Sequence, residues 1–69
     1  IKIVNTRQAS ISVSISTTGE GGGEDMFFEA APGGSGIWKR GNAQVAIVYL
    51  SDTGETRYMT VFPGSDYSI

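Results

Sequence analysis

The chain contains no cysteine and no histidine among its 69 residues. These absences remove disulfide bridges, thiolate and imidazole metal ligands, and the common forms of the nucleophilic triad. Proline is scarce, at two residues, and the five cations Lys2, Arg7, Lys39, Arg40 and Arg57 are dispersed along a chain of net charge −2. A nucleic-acid surface needs a basic stripe, so no nucleic-acid partner is expected. The longest apolar run, Val45-Ala46-Ile47-Val48-Tyr49-Leu50, falls far short of the roughly 20 residues of a spanning helix, and no transmembrane segment is expected. No leader pattern is visible, and a first residue of Ile1 rather than Met points to a processed form or an incomplete N-terminus. A soluble protein is expected, and the lack of cysteine fits cytoplasm and secretion equally.

Size adds a further demand. A chain this short buries only about 60% of the surface its unfolded form exposes. Domains below roughly 70–80 residues usually gain support from disulfides, a metal, tight packing or self-association. With disulfides and the usual metal ligands gone, self-association is the expected support.

What the chain does contain is alternation. Ile11, Val13 and Ile15 alternate with Ser10, Ser12, Ser14 and Ser16, the period of two of a strand with one buried and one wet face. Further strands are expected at Ile1–Thr6, Met26–Ala30, Ile37–Arg40, Gln44–Leu50, Arg57–Phe62 and Asp66–Ile69. Pro32-Gly33 and Pro63-Gly64 suit type II turns, in which proline presets φ and glycine supplies a positive φ. Ser51-Asp52-Thr53-Gly54 suits a hairpin loop. No helical period is sustained. The reading is a single all-β domain over residues 1–69, a small antiparallel β-sandwich or barrel of six to seven short strands.

The chain also reads as two related halves. Ser16-Thr17-Thr18-Gly19-Glu20 matches Ser51-Asp52-Thr53-Gly54-Glu55 at an offset of 35 positions, and the two Pro-Gly pairs lie 31 apart. A Gly-rich insert around Gly21-Gly22-Gly23-Glu24 accounts for the difference. Chance similarity between two Ser/Thr/Gly turns is the competing explanation, since hairpins favour those residues.

The 44–50 strand bears on assembly. Val45, Ile47 and Tyr49 occupy one face, and Ala46, Val48 and Leu50 the other. A two-layer domain has a core for one of them. The other needs a second layer or another subunit, and a second copy is the expected cover.

Few motifs carry chemistry. The loop Gly19–Asp25 lacks the Gly-Lys-Ser/Thr of a phosphate loop, and its acids would repel phosphate. Glu20, Glu24 and Asp25 offer hard oxygen ligands for calcium in no familiar spacing, against the plainer reading of a solvated loop; no cofactor is expected. Glu29, Asp52 and Asp66 are carboxylates in search of a cleft that so small a domain hardly provides, so no enzyme is expected. Aromatics are the remaining lead. Trp38 lies beside Lys39 and Arg40 after a Gly-rich turn, and Tyr49, Tyr58 and Tyr67 combine a ring with a polar tip. A ring of this kind stacks on a pyranose while Asn, Asp or Arg bind its hydroxyls, which nominates Trp38, Arg40, Asn42, Tyr58, Asp66 and Tyr67, with Asp52 and Arg57 in reserve. Trp38 as a core or interface anchor is the alternative.

Val4-Asn5, the I-S-V-S-I-S strand, Pro32-Gly33-Gly34, Trp38 with Arg40, and the Tyr67-Ser68-Ile69 ending resemble small, uncharacterised β-rich proteins of mushroom-forming fungi. The resemblance spans most of the chain and transfers no residue role. It implies a lectin-like or defence-type protein. Two functions are thus expected in competition: a carbohydrate-binding, lectin-like module made multivalent by homo-oligomerisation, and a structural or protein-interaction oligomer without a sugar site. A membrane-active defence protein stands behind both.

Overall fold

The computed structural model describes residues 1–69 as seven strands with no helix: β1 (Lys2–Val4), β2 (Ile11–Ile15), β3 (Phe28–Ala30), β4 (Ser35–Ile37), β5 (Gln44–Leu50), β6 (Thr56–Val61) and β7 (Asp66–Ser68). They form a three-stranded sheet, β4-β1-β7, and a four-stranded sheet, β3-β2-β5-β6. Of the expected sandwich or barrel of six to seven strands, the two sheets make the sandwich-like arrangement with seven. Several strands are shorter than their apolar content suggests. Met26 and Phe27 lie outside β3, and β4 closes before Trp38.

The alternation of β2 becomes the core directly. Ile11, Val13 and Ile15 pair with Leu50, Val48 and Ala46 across the β2–β5 ladder, and all six side chains are buried. Ile1 and Ile3 come down from the smaller sheet, and Ala30 and Val61 complete the cluster. Each fully buried branched side chain contributes about 1.5–3 kcal/mol by removal from water. The intervening Ser12, Ser14, Val45, Ile47 and Tyr49 turn to the outer face of the four-stranded sheet.

The strand arrangement bears on the two-halves reading. Hairpin β2–β3 and hairpin β5–β6 flank the β2–β5 pair, and β4 and β7 flank β1 in the opposite sheet. Each half therefore runs strand, turn, strand, Pro-Gly turn, strand. Gly33 and Gly64 take φ of 78° and 77° in those turns, as the type II geometry requires. One detail departs from the antiparallel expectation. β1 pairs with β7 in parallel and with β4 antiparallel, because a single central strand cannot oppose both of two oppositely directed neighbours.

Asn5 fastens the sheets at the end of β1. Its side chain donates to the carbonyls of Ala9 at 2.8 Å and Ala30 at 3.0 Å, and accepts from the Arg7 N–H at 2.9 Å. Its backbone meets Gly33 and Gly34, each at 2.9 Å. A fully buried amide is tolerated here because every polar atom finds a partner.

Candidate functional site

The largest depression lies where β3 and β4 adjoin the 23–28 segment, and encloses about 560 Å³. Its geometry begins at Gly36. A Cβ at this position would stand 2.5 Å from Trp38 Cη2 and 3.2 Å from Phe28 Cε1, so the missing side chain leaves the bed on which both rings lie. Positions 36 and 38 share a face of an extended chain, which is why the indole folds back over Gly36. Phe28 meets Trp38 edge-on, with ring centroids 5.8 Å apart and planes at 90°. This perpendicular arrangement sets the positive edge of one ring against the negative face of the other.

Met26, Phe27 and Ile37 extend the apolar wall, and Ile37 remains 73% exposed and Phe27 57% exposed. Trp38 itself is half-buried and packs against the core, so it is both anchor and groove wall. Lys39 and Arg40 form one lip, with Glu24 and Ser35 nearby.

Arg40 lies at this lip but its fork is directed inward. Nε donates to the Ser16 carbonyl at 2.9 Å, Nη2 to Ile15 at 3.0 Å and to the Glu24 carbonyl, and Nη1 to Lys39 at 3.0 Å. The guanidinium thereby ties the end of β2 to the Gly-rich loop. Its charge is met by carbonyls alone, so the lip stays cationic.

Asn42 belongs to a separate clasp. Glu20 accepts from the Gly41 N–H at 2.8 Å on one oxygen. On the other it accepts from the Asn42 N–H at 3.0 Å, Asn42 Nδ2 at 2.8 Å and Gln44 Nε2 at 3.2 Å. The Gly41 bond first, then the Asn42 side chain, hold the Glu20 carboxyl below its ordinary value against a smaller opposing effect of desolvation. Buried Gln44 continues the clasp through Thr18 and Ser16. Glu20 is thus turned toward residues 41–44, and no group of three acidic side chains is gathered to hold a metal ion. Of the three candidate calcium ligands Glu20, Glu24 and Asp25, Glu20 commits both carboxylate oxygens to residues 41–44.

The remaining nominated residues lie elsewhere. Tyr58 stands 71% exposed on β6 opposite Ile47. Tyr67 is half-buried on β7, and its hydroxyl accepts from the Phe62 N–H at 2.8 Å. Asp66 is exposed at the start of β7, in register with Lys2. Asp52 is bound to Arg7 at 2.8 Å, and the Arg7 hydrogen bond depresses its carboxyl. Of the six nominated residues only Trp38 and Arg40 meet in the groove, and Arg40 serves the scaffold. Sequence reasoning places Met26, Phe27, Phe28 and Ile37 only as members of short strands and so misses them as groove walls. The Gly36-x-Trp38 spacing was the available signal.

No protein-family model, no curated protein and no solved structure matches the chain.

Proposed function

We propose that the chain is a non-enzymatic interaction module that self-associates and seats an apolar, acid-bearing segment of a protein partner in the Trp38 groove. One observation carries the reading. Met26, Phe27, Phe28 and Ile37 are large, exposed and contiguous with Trp38, beside a lip bearing Lys39 and Arg40. Contiguous exposed apolar surface of this kind marks binding sites, and aromatic, Met and Arg residues are the types enriched in them. The cationic lip sets the sign of the partner's charge.

The outer face of β5 supports self-association. Val45 and Tyr49 are 46% and 42% exposed on a sheet face that no second strand layer covers, the Asp25 carbonyl meeting it only at Ser14. Asp52 is held by Arg7, while Glu29 and Asp66 sit on different strands in different sheets, which favours binding over hydrolysis.

A saccharide is the second reading, favoured by one specific feature. Glu24 and Lys39 give only their carbonyls to Arg40, so their charged ends and the Ser35 hydroxyl are free to bind sugar hydroxyls beside the indole. Against it, Arg40, Asn42 and Tyr67 are engaged within the chain.

Selection from a displayed peptide library, run beside a glycan array, separates the two. The interaction reading expects enriched peptides with aromatic or aliphatic residues next to Asp or Glu, all lost with Trp38→Ala. Glycan binding lost with Trp38→Ala, without peptide enrichment, would replace it by the lectin-like reading.

A further inference from the structure

β6 is the longest strand with an open edge. The Leu50 N–H donates to the Glu55 carbonyl at 2.8 Å, which sets the phase of the β5–β6 ladder. Hydrogen-bonded and non-bonded pairs alternate in an antiparallel ladder, so Arg57, Met59 and Val61 turn their backbone groups toward Val48, Ala46 and Gln44. The backbone groups of Thr56, Tyr58 and Thr60 therefore point away from the sheet. All three residues are exposed, and β5 is the only strand that β6 pairs with. At the far end the Phe62 N–H is taken by the Tyr67 hydroxyl, which closes the edge there.

Edges are normally blunted by proline, lysine, a bulge or a covering segment. β6 reads Thr-Arg-Tyr-Met-Thr-Val, with no proline and no lysine. Its one charge, Arg57, is paired with its own neighbour Glu55 at 2.9 Å. The opposite edge of the sheet, β3, has three residues and offers much less.

The pattern around Tyr58 is self-complementary. We infer that two copies of the chain join antiparallel through β6, with Tyr58 opposite Tyr58 on the two-fold axis and Thr56 opposite Thr60. In this register every outward backbone group of Thr56, Tyr58 and Thr60 gains a partner, giving roughly six hydrogen bonds across the axis. Arg57 falls opposite Met59, so no like charges oppose one another. Tyr58 shares the outer face with Ile47, and Val45 and Tyr49 continue it along β5. The pair therefore makes one continuous sheet whose outer face carries a doubled apolar row. This specifies the self-association proposed above and places its contact at the β6 edge rather than on the β5 face; it does not depend on what the groove binds.

Tyr58→Cys tests the register in a chain that has no cysteine of its own. Hydrogen-bonded antiparallel partners stand about 5.5 Å apart at Cα, inside the roughly 4.4–6.8 Å reach of a disulfide. Under mild oxidation Tyr58→Cys is expected to cross-link at least tenfold faster than Thr53→Cys in the β5–β6 loop. Thr60→Pro removes one outward N–H, a substitution tolerated at sheet edges, and is expected to weaken the dimer at least tenfold by sedimentation while retaining a cooperative melt. Equal cross-linking rates, or a folded Thr60→Pro with unchanged dimerisation, overturn the β6 contact. If the wild type still associates and Val45→Lys separates it, self-association stands on the β5 face and only the edge contact falls. A wild-type monomer at ~100 μM, a concentration at which even weak dimers are populated, overturns both.

Discussion

Val13 and Val48 face each other at the centre of the β2–β5 ladder, and 35 positions separate them, the same offset that relates the two Ser-x-Thr-Gly-Glu turns. A residue paired with its own counterpart marks the axis of an approximate two-fold relation between the halves. Both side chains are fully buried. Val13→Ala and Val48→Ala are each expected to cost about 2 kcal/mol, with costs alike because the environments are alike. As the two positions are register partners, the double variant is expected to depart from additivity by about 0.5 kcal/mol or more. Urea unfolding of the set checks this. Single-site costs differing severalfold would remove the symmetry from the energetics.

Much of this organisation is legible in the chain because it is local. Serine alternation, the Pro-Gly pairs and the repeated turn each act over a few residues and place β2, β5 and the hairpin ends. The partition into sheets is not local. β1 joins β4 and β7 through residues far apart in sequence, and its parallel pairing with β7 leaves no signature in Lys2–Val4 or Asp66–Ser68. The groove was illegible for a related reason. Phe28 lies on the core-facing side in register with Val13, yet is 46% exposed because β3 is the edge strand of its sheet. Arg40 and Asn42 read as ligand arms only while their partners on residues 15–24 are unknown.

Asn5 is expected to be as sensitive as a core apolar residue. Asn5→Ala leaves the carbonyls of Ala9 and Ala30 and the N–H of Arg7 without the partners they have now. Each unsatisfied buried group costs about 1–3 kcal/mol, so a loss of at least 2 kcal/mol is expected in denaturant unfolding. A loss below about 0.5 kcal/mol, the level of ordinary surface substitutions, would contradict the fastening role.

Glu20 should give the protein part of its acid sensitivity. Its folded value is depressed, so the clasp contributes stability in full above the ordinary glutamate value of about 4.3, and that contribution is lost as the pH falls through the lower folded value. Asp52 acts with the same sign through Arg7. Glu20→Gln is expected to lower the melting temperature at pH 7 and to flatten its decline between pH 5 and pH 3, with Asp52→Asn flattening it further. Melting curves across that range check it. An unaltered pH slope in Glu20→Gln would show that the clasp does not hold the ionised form.

Gly36 should control the groove through the indole that lies on it. Gly36→Ala places a methyl group where the indole lies, and the ring must move. The expected result is a red-shifted Trp38 emission and at least a tenfold loss of groove binding, with the core strands intact by circular dichroism. Unchanged emission would mean that the ring does not rest on Gly36.

The most direct test uses the single tryptophan as its own reporter. Anilinonaphthalene sulfonate is an aromatic anion, matching the apolar wall and cationic lip. Titrated into the natively folded protein at pH 7, it should show saturable energy transfer from Trp38. That transfer should weaken at least tenfold in Phe27→Ser and resist competition by simple methyl glycosides. Absence of transfer up to ~1 mM, the weakest affinity worth calling a site, would contradict a groove that binds apolar anions, as would full displacement by a glycoside.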